Sequence, residues 1–385
     1  MDRPEPSKSL LSHSPSEAWK FCLRHESSAT GENGPSAVLS AHTGPVSSLA
    51  LCGEFVLSAS QAKDIIVWRQ PDLSPFARFG HGDGSVKALE AVGNRVFTAH
   101  QDGRIRVWKV SRRSENLFRL VATLPTRKDC IGKLLKRSNY VQTRRNHRRL
   151  WVEHADSISC LAVEGGKVYS GSWDKTLKVW RAADLRCLES IRAHDDAING
   201  LAVCNGMVYT ASADGKIKAW ENSSDSHRLK GVMEGPKLVS WNAVVLMEEG
   251  RLVYGGGSDG RVMGWGEEAG GREWRLLCDV KAHDMSVLCL CATGKFLCSG
   301  SADRSIGVWR EMDGGLCRLR VLWGHEGPVK CLQSSWKGGG FWLYSGATDK
   351  NLRVWWVSEE ENPQPKERGD RDGDAGTGNN SVKGS

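Results

Sequence analysis

The sequence repeats one unit seven times at a period of about 40 to 45 residues, and this repetition constrains the fold more than any other feature. A complete unit opens near a His, passes through two short apolar segments to a Ser or Thr and an Asp, and closes on a Trp. The apolar segments alternate, contain many β-branched residues and are separated by Gly and Asp turns, which is typical of strands. The closing residues lie 40, 72, 40, 45, 44 and 46 positions apart, at Trp68, Trp108, Trp180, Trp220, Trp265, Trp309 and Trp355. The repeat therefore predicts one all-β ring of seven four-stranded sheets.

Polar residues occupy matching positions in these units. The first unit has Ala62 in the Asp position, and the fifth has Gly255 in the Ser/Thr position and no opening His. A buried carboxylate must be paired, and His, a hydroxyl and an indole N–H are suitable partners. We predict structural tetrads in the other five units: His81, Thr98, Asp102 and Trp108; His154, Ser170, Asp174 and Trp180; His194, Thr210, Asp214 and Trp220; His283, Ser299, Asp303 and Trp309; His325, Ser345, Asp349 and Trp355.

The repetition of these sets argues against catalysis. A hydrolase needs one Ser/His/Asp set, whereas this chain carries the set in five units. No glycine-rich Ser elbow, P-loop or His-Glu-x-x-His motif occurs. We expect no enzyme activity, no catalytic, cofactor-binding or metal-binding residue and no small-molecule substrate. Asp64 stands four residues before Trp68, whereas the aligned Asp of the other units stands six residues before its Trp. We therefore expect Asp64→Ala to destabilise the protein less than Asp174→Ala.

With this register the chain resembles the WD-repeat β-propeller family from about Ala37 to Val357. The third unit, HADSISCLAVEGGKVYSGSWDKTLKVW, shows the pattern best. The resemblance implies a seven-bladed propeller in which the His, Ser/Thr, Asp and Trp of a blade form a hydrogen-bonded chain. One departure is that none of the seven closing Trp residues is followed by Asp.

The two ends of the repeat region complement each other. The segment AVLS precedes the first unit, and the last unit supplies the three strands PVKCLQS, FWLYSGA and LRVWWV. Three strands plus one complete a blade, so we expect an N-terminal strand to complete the last blade and close the ring; the alternative is that AVLS is an ordered tail. The predicted organisation is a disordered Ser/Pro-rich tail at 1–35, the propeller at 36–357 and a disordered charged, Gly-rich tail at 358–385.

A basic insertion separates the second and third units. It covers residues 126–149 and holds nine Lys/Arg and one acid, Asp129, so its net charge of +8 equals that of the whole chain. Its first part places Ile131, Leu134 and Leu135 on one helical face, and its second part predicts a hairpin across Asn146 and His147. Two interpretations stand: a docking arm for an acidic partner, nucleic acid or phosphate, or a solvated basic loop.

The insertion carries a second resemblance. The stretch LPTRKDCIGKLLKRSNYVQTRRNHRRLWVEHADSISCLA is similar to the corresponding insertion of plant Jingubang-like WD-repeat proteins. That resemblance implies an intracellular plant regulatory protein, associated with transcription-factor binding and with control of pollen germination and tube growth.

Composition narrows the function further. The 12 Cys residues form no Cys-x-x-Cys pair, and the chain shows neither a signal-peptide h-region nor a long apolar run. We therefore expect a cytoplasmic or nuclear protein with no membrane contact, acting as a non-catalytic protein-interaction scaffold. The alternatives are a substrate receptor of a ubiquitin ligase, which the missing Trp-Asp-x-Arg motif weakens, and binding of nucleic acid or another anionic partner through the insertion.

The predicted partner surface lies on the loop-rich face of blades 2 to 4, with the insertion at its edge. Trp173 precedes the Asp174 turn, where other blades carry smaller residues. Two interpretations are open: Trp173 is an exposed hot spot, or it packs under the insertion while the basic arm neutralises an acidic arc. The candidate partner-binding residues are Trp173, Asp83, Asp156, Asp196, Lys136, Arg137, Tyr140, Arg144, Arg145, Arg148 and Arg149.

Overall fold

Seven four-stranded antiparallel sheets surround a common axis in the computed structural model of this chain. The structure describes residues 34–360 except 63, 81–83, 112–116, 135, 145–146, 224–225, 269–272 and 314. The first strands of neighbouring sheets contact one another all the way around the ring. The prediction of an all-β, seven-bladed propeller is confirmed.

The first three blades are built from consecutive strands, ordered from the ring centre outward. Blade 1 contains β2 (Val46–Cys52), β3 (Phe55–Ser60), β4 (Ile65–Arg69) and β5 (Ser74–Phe79). Blade 2 contains β6 (Val86–Val92), β7 (Arg95–His100), β8 (Ile105–Val110) and β9 (Phe118–Leu124). Blade 3 contains β12 (Ile158–Glu164), β13 (Lys167–Ser172), β14 (Thr176–Arg181) and β15 (Cys187–Arg192).

The next three blades repeat this order. Blade 4 contains β16 (Ile198–Cys204), β17 (Met207–Ser212), β18 (Lys216–Ser223) and β19 (Ser226–Glu234). Blade 5 contains β20 (Trp241–Met247), β21 (Leu252–Gly257), β22 (Arg261–Glu267) and β23 (Trp274–Lys281), with a 3-10 turn at Glu248–Gly250. Blade 6 contains β24 (Val287–Thr293), β25 (Phe296–Ser301), β26 (Ile306–Met312) and β27 (Gly315–Leu322).

Blade 7 draws its strands from both ends of the repeat region. It contains β28 (Val329–Lys337), β29 (Gly340–Ala347) and β30 (Asn351–Ser358), and β1 (Ala37–Ser40) is its outermost strand. β1 pairs antiparallel with β30, from Ala37 opposite Val354 to Ser40 opposite Asn351. The pairing leaves blade 7 with four strands, like the others, and covers an edge that would otherwise be open.

The hydrophobic core is divided among the seven blade interfaces. Each of seven clusters of buried residues joins two adjacent blades, for example Phe97 and Val107 of blade 2 with Leu161 and Val168 of blade 3. The middle strands read as continuous apolar runs because both of their faces are covered by neighbouring blades. A blade therefore has no core of its own, and the ring is stabilised as a unit.

The insertion between blades 2 and 3 has its own secondary structure. It forms α1 (Arg127–Leu134), a 3-10 turn at Arg137–Asn139 and a hairpin of β10 (Tyr140–Arg144) and β11 (His147–Leu150). Arg144 is registered against His147, so His147 belongs to β11 and not to the turn in which it was predicted. None of the helices in the described part of the chain has the length and apolar character needed to cross a membrane.

Candidate interaction site

Blade 3 shows how the repeated polar residues are held. Trp180 Nε1–H donates to Ser170 Oγ at 2.9 Å, and Ser170 Oγ lies 2.8 Å from His154 Nε2. On the other side of the imidazole, His154 Nδ1 lies 3.0 Å from Asp174 Oδ2, which also accepts the Ala155 N–H at 2.7 Å. The network assigns the tautomer: Nδ1–H donates to Asp174, and Nε2 accepts the Ser170 hydroxyl proton. The set links β13 and β14 to the segment before β12 and to the β13–β14 turn.

Burial and hydrogen bonding fix the charge states in this set. Burial lowers the pKa of His154, so the ring is neutral. Burial works against ionisation of Asp174, but the adjoining His154 and hydrogen bonds from Thr176 and Ala155 hold the pKa of that carboxyl below its ordinary value. Catalytic triads share this pairing, but here the Ser170 hydroxyl is fully buried and accepts the Trp180 indole N–H, so it is held as a structural group and not presented to a substrate.

The same geometry occurs in three more of the predicted tetrads. The Nδ1–Oδ2 distances are 2.8 Å for His194 and Asp214, 3.1 Å for His283 and Asp303, and 2.8 Å for His325 and Asp349. In each, the Nε2 atom lies 2.7 Å from the hydroxyl that also accepts the indole N–H, at Thr210 with Trp220, Ser299 with Trp309 and Ser345 with Trp355.

Blade 2 departs from the predicted tetrad. The residue beside Thr98 is His100, whose Nε2 lies 2.7 Å from Thr98 Oγ1, while His81 falls outside the described residues. The reason is local: β7 ends on His100 where other blades have a small residue, and this ring reaches back to Thr98. Burial, followed by the nearby Arg106 charge, lowers the pKa of His100 to about 4. Asp102 instead pairs with Arg106 at 2.8 Å.

Blade 1 replaces the missing Asp by Asp64. This residue is 8 % exposed and accepts the Ser60 hydroxyl at 2.8 Å, with His42 Nδ1 at 3.9 Å and Arg78 at 3.4 Å. Although burial acts in the opposite direction, these neighbours lower the pKa of Asp64 to about 2. Asp64 is thus a buried, hydrogen-bonded carboxylate, although its position outside the aligned Asp residues predicted a milder role.

Blade 5 lacks the His and the Ser or Thr of a tetrad, and an aromatic side chain packs in their place. Trp241 is fully buried, packs edge-to-face against Trp265 with centroids 5.4 Å apart, and donates to the Gly215 carbonyl at 2.9 Å. A Cβ at Gly255 would lie 3.0 Å from the Trp241 ring, so the Gly that replaces Ser/Thr makes room for it.

A cleft of about 890 Å³ lies between the insertion hairpin and blade 3. Its walls come from β10 and β11, from the segment that follows β11, from the β13–β14 turn, and from β14 and β15. They are lined by Val141, Gln142, Arg148, Arg149, Leu150, Trp151, Glu153, Ala155, Asp156, Trp173, Asp174, Lys175, Thr176, Lys178, Ser190 and Arg192. The cleft joins Trp173, Asp156, Arg148 and Arg149, four of the residues predicted to bind a partner.

Trp173 is the aromatic feature of this cleft. Its side chain is 45 % exposed, and Lys87 Nζ lies 5.7 Å from the ring centroid, at the range of a cation–π contact. Trp173 is therefore neither free in solvent nor covered by the insertion, and it forms part of the wall.

Most charged groups of the cleft already have partners. Arg149 donates to the His154 carbonyl at 3.1 Å, Lys175 to the Asp195 carbonyl at 2.6 Å, and the buried Lys178 to the Trp151 carbonyl at 2.5 Å. Arg148 and Arg192 are exposed, and neither has an ion pair within the described part of the chain. They are the two cations of the cleft available to a ligand.

The other candidate residues lie outside the cleft. Asp196 accepts its neighbouring Ala197 N–H at 2.8 Å, and Asp83 falls outside the described residues. Lys136 and Arg137 are exposed at the 3-10 turn, and Tyr140 donates to the Leu134 carbonyl at 3.1 Å. The Arg144 side chain and all of Arg145 also fall outside the described residues. The acidic arc was predicted to consist of Asp83, Asp156 and Asp196; of these, Asp156 lines the cleft and Asp196 does not.

Helix α1 contacts the propeller through an unexpected side chain. Ile131 and Leu134 are 65 % and 48 % exposed, so the predicted apolar face does not pack, and Leu135 falls outside the described residues. The buried residue is Asp129, whose Oδ2 accepts the Cys187 N–H at 3.0 Å and whose Oδ1 pairs with Lys133. The apolar spacing carried no sign that a carboxylate would make the contact.

Sequence reasoning also missed Trp151, Lys178 and Arg192. Lys178 is 2 % exposed, and burial lowers the pKa of its ammonium group. Its Nζ donates to both the Trp151 carbonyl and Ser190 Oγ, so it ties the segment that follows β11 to blade 3. In the described part of the chain, no cluster of three or more His, Cys, Asp or Glu side chains is placed to hold a metal ion.

Comparison with known proteins fits this architecture. A family model described as "WD domain, G-beta repeat" matches residues 146–181, 185–221, 274–310 and 316–355, which correspond to blades 3, 4, 6 and 7. The chain is similar to the small ribosomal subunit protein RACK1y of Oryza sativa subsp. japonica, at 23 % identity over 53 % of this chain and 49 % of that protein.

Two plant proteins match shorter stretches. Zinc finger CCCH domain-containing protein 17 of Oryza sativa subsp. japonica is 33 % identical over 29 % of this chain and 19 % of its own length. An F-box/WD-40 repeat-containing protein of Arabidopsis thaliana is 28 % identical over 29 % of this chain and 21 % of its own length. The chain spans less than half the length of these curated relatives.

Proposed function

Because this chain belongs to the WD40-repeat family, we propose that it is a non-catalytic protein-interaction scaffold whose partner binds in the cleft between the insertion hairpin and blade 3. The propeller fold of the family supports the role of a protein-interaction scaffold, since such rings present rigid, loop-built surfaces to other proteins. The cleft supports the location, because it is built jointly by the repeat and by the segment that distinguishes this chain from a plain set of blades.

The observation that carries this proposal is the exposed Trp173 in the wall of the cleft. Half-exposed tryptophans in a concave site are enriched among residues that dominate binding energy. The equivalent positions in five other blades hold Gln101, Ala213, Ser258, Ala302 and Thr348, so this aromatic is not required by the fold.

The charges of the cleft favour an acidic segment of a protein. Arg148 and Arg192 are exposed cations, whereas the acids Asp174, Glu153 and Asp156 already accept hydrogen bonds, from the Ala155, Leu150 and Ser157 N–H groups respectively. A carboxylate-rich peptide would pair with the two guanidinium groups while an apolar side chain packs on Trp173.

The resemblance of the insertion to plant Jingubang-like proteins extends the proposal. We propose on that ground a plant regulatory protein of the cytoplasm or nucleus, with a transcription factor as partner and a role in pollen germination and tube growth. The sequence of residues 124–162 supports this finer assignment.

Nucleic-acid binding through the insertion is the second candidate, favoured by the exposed Arg148, Lys136 and Arg137. It requires a steep loss of affinity with salt, because displaced counterions dominate such binding. A role as a ubiquitin-ligase substrate receptor is the third candidate; one relative carries F-box/WD-40 in its name.

The test is affinity capture with the full chain and point variants. We expect Trp173→Ala to leave the melting temperature unchanged and to reduce partner capture by about tenfold or more. The matched control is Trp323→Ala, which removes a Trp that is 57 % exposed in the connection between blades 6 and 7. Lower stability with intact capture in Trp173→Ala would place the interface elsewhere, as would an equal loss in both variants.

A further inference from the structure

Three cations stand directly opposite one another across blade 2, on the face of the ring away from the cleft. Arg95 of β7 is registered against Lys109 of β8, and Lys109 is registered against Arg119 of β9. Directly opposed residues of antiparallel strands point to the same side of the sheet, with Cβ atoms about 5 Å apart. The row therefore places the Cβ atoms of three cationic residues within about 10 Å on one side of the sheet, and like charges in this arrangement repel.

The row faces a pocket between blades 2 and 3. The pocket has a volume of about 390 Å³ and is lined by Asn94, Arg95, Lys109, Arg119, Val121 and Leu185. Arg95 donates to the Ala182 carbonyl of blade 3, which fixes one wall of the pocket. Lys109, Arg119 and Val121 are exposed, so a ligand can reach them from solvent.

No carboxylate balances this row among the described residues. The acid in the neighbouring turn, Asp184, lies 3.3 Å from Arg181 and 3.7 Å from Arg186 and is thus already shared by two cations. Neither Arg95, Lys109 nor Arg119 forms an ion pair within the described part of the chain.

Equivalent rows in other blades balance their cations. In blade 1, Arg69 lies 4.2 Å from the centroid of Phe76, and in blade 6, Arg310 lies 5.2 Å from the centroid of Phe296. In blade 4, Arg228 is registered against Glu221. Blade 3 also opposes two cations, Lys167 and Arg181, but Asp184 pairs with Arg181. Among the described residues, the blade 2 row thus holds three cations without a counterion, an arrangement that disfavours the free protein and favours bound negative charge.

We propose that the Arg95–Lys109–Arg119 row is a binding site for a phosphorylated side chain of a protein partner. A phosphate monoester carries about −1.5 to −2 charges and three acceptor oxygens, which matches three cationic donors better than one carboxylate does. Val121 and Leu185 provide apolar walls for the residue beside the phosphate. This site lies on the opposite face from the cleft and is independent of the function proposed there.

The first experiment measures binding of a degenerate phosphoserine and phosphothreonine peptide library, and of its unphosphorylated counterpart, to the full chain. We expect at least about tenfold preference for the phosphorylated library, competition by inorganic pyrophosphate, and loss of the preference in Lys109→Ala/Arg119→Ala. The control is Arg228→Ala/Arg275→Ala, which removes two exposed cations at the matching outer-strand positions of blades 4 and 5. The control should keep the preference.

Several outcomes would overturn the proposal: no preference in the unaltered chain, a preference that survives in Lys109→Ala/Arg119→Ala, or an equal loss in the control. Binding to phosphoinositide-containing vesicles without binding to phosphopeptides would also overturn it. A second readout separates binding from structure. Without ligand, Lys109→Ala/Arg119→Ala should melt at the same or a higher temperature, because like-charge repulsion is relieved; a lower melting temperature would assign the row a structural role.

Discussion

At the residue scale, the buried carboxylate of a complete tetrad accepts several hydrogen bonds at once. Asp174→Ala removes the acceptor of the His154 Nδ1–H and of the Ala155 N–H. We expect the free energy of unfolding to fall by about 1–3 kcal/mol, because buried donors are left unsatisfied. Chemical denaturation of the full chain measures this.

The matched control is Asp259→Ala in blade 5. Asp259 occupies the same column but accepts the Arg261 N–H and has no His in its unit. A loss of stability in Asp259→Ala as large as that in Asp174→Ala would show that the His–Asp contact is not what stabilises the blade.

A second residue, Glu90, makes stability depend on pH. It lies on β6 opposite Phe97, and burial raises its pKa from 4.5 to about 7. The folded state thus holds a proton between these values that the unfolded state has lost, so the folded state becomes less stable as pH rises from about 4.5 to 7. Glu90→Gln removes this cost: we expect the free energy of unfolding at pH 8 to rise by about 2–3 kcal/mol, with no gain near pH 4.

Melting curves of Glu90→Gln between pH 4 and 8 test this expectation, with the exposed Glu54→Gln as control. A gain that does not vary with pH would mean that the carboxylate is not the source. The tetrads affect stability at low pH. Because the pKa values of His154 and Asp174 are lowered in the folded state, the folded state becomes less stable as pH falls below the ordinary pKa of each group.

At the scale of single elements, the insertion is attached to blade 3 by polar contacts. Asp129 of α1 accepts the Cys187 N–H, and Lys178 of β14 donates to the Trp151 carbonyl. We expect Asp129→Ala to lower the free energy of unfolding by about 1–3 kcal/mol, because it leaves the buried Cys187 N–H without an acceptor. Limited proteolysis within residues 126–149 should accelerate at the same time.

The control for this prediction is Asp184→Ala, which removes a solvent-exposed carboxylate that pairs with Arg181 and Arg186. Exposed ion pairs contribute little, so this variant should behave like the unaltered chain. Unchanged proteolysis in Asp129→Ala would show that α1 is held by other contacts.

The insertion also marks the limit of what sequence could predict. Periodicity and turn signals predicted the helix and hairpin, because these depend on neighbouring residues. They put Ile131 and Leu134 on one apolar helical face, but these side chains are exposed, and the contact with blade 3 is made by Asp129 with the Cys187 N–H. In blade 2, His100 was likewise invisible to column matching, since its partner Thr98 is only two residues away.

At the scale of the whole molecule, the repeat register alone predicted seven blades, and the WD-repeat resemblance is confirmed at the level of the family. The register succeeded because every blade interface needs the same apolar positions. The cleft was beyond prediction: it depends on how the hairpin rests against β13–β15, which the repeat does not encode.

Ring closure gives a prediction at this scale. β1 covers β30, and Leu39 is 4 % exposed in the interface of blades 7 and 1. A chain starting at Ala41 should melt several degrees below one starting at Gly34, because it loses the β1–β30 hydrogen bonds and the burial of Leu39. Equal melting temperatures for the two chains would mean that β1 does not contribute to the stability of the ring.

The central claim is that a partner occupies the cleft formed by the insertion and blade 3. Its most direct test is hydrogen exchange of the full chain, alone and with the protein captured in the affinity experiment. We predict slower exchange in the partner complex at residues 141–142, 148–156 and 173–178, which line or adjoin the cleft, with no change in the connection around Trp323. Protection confined to other blades, with exchange at these segments unaltered, would contradict the account.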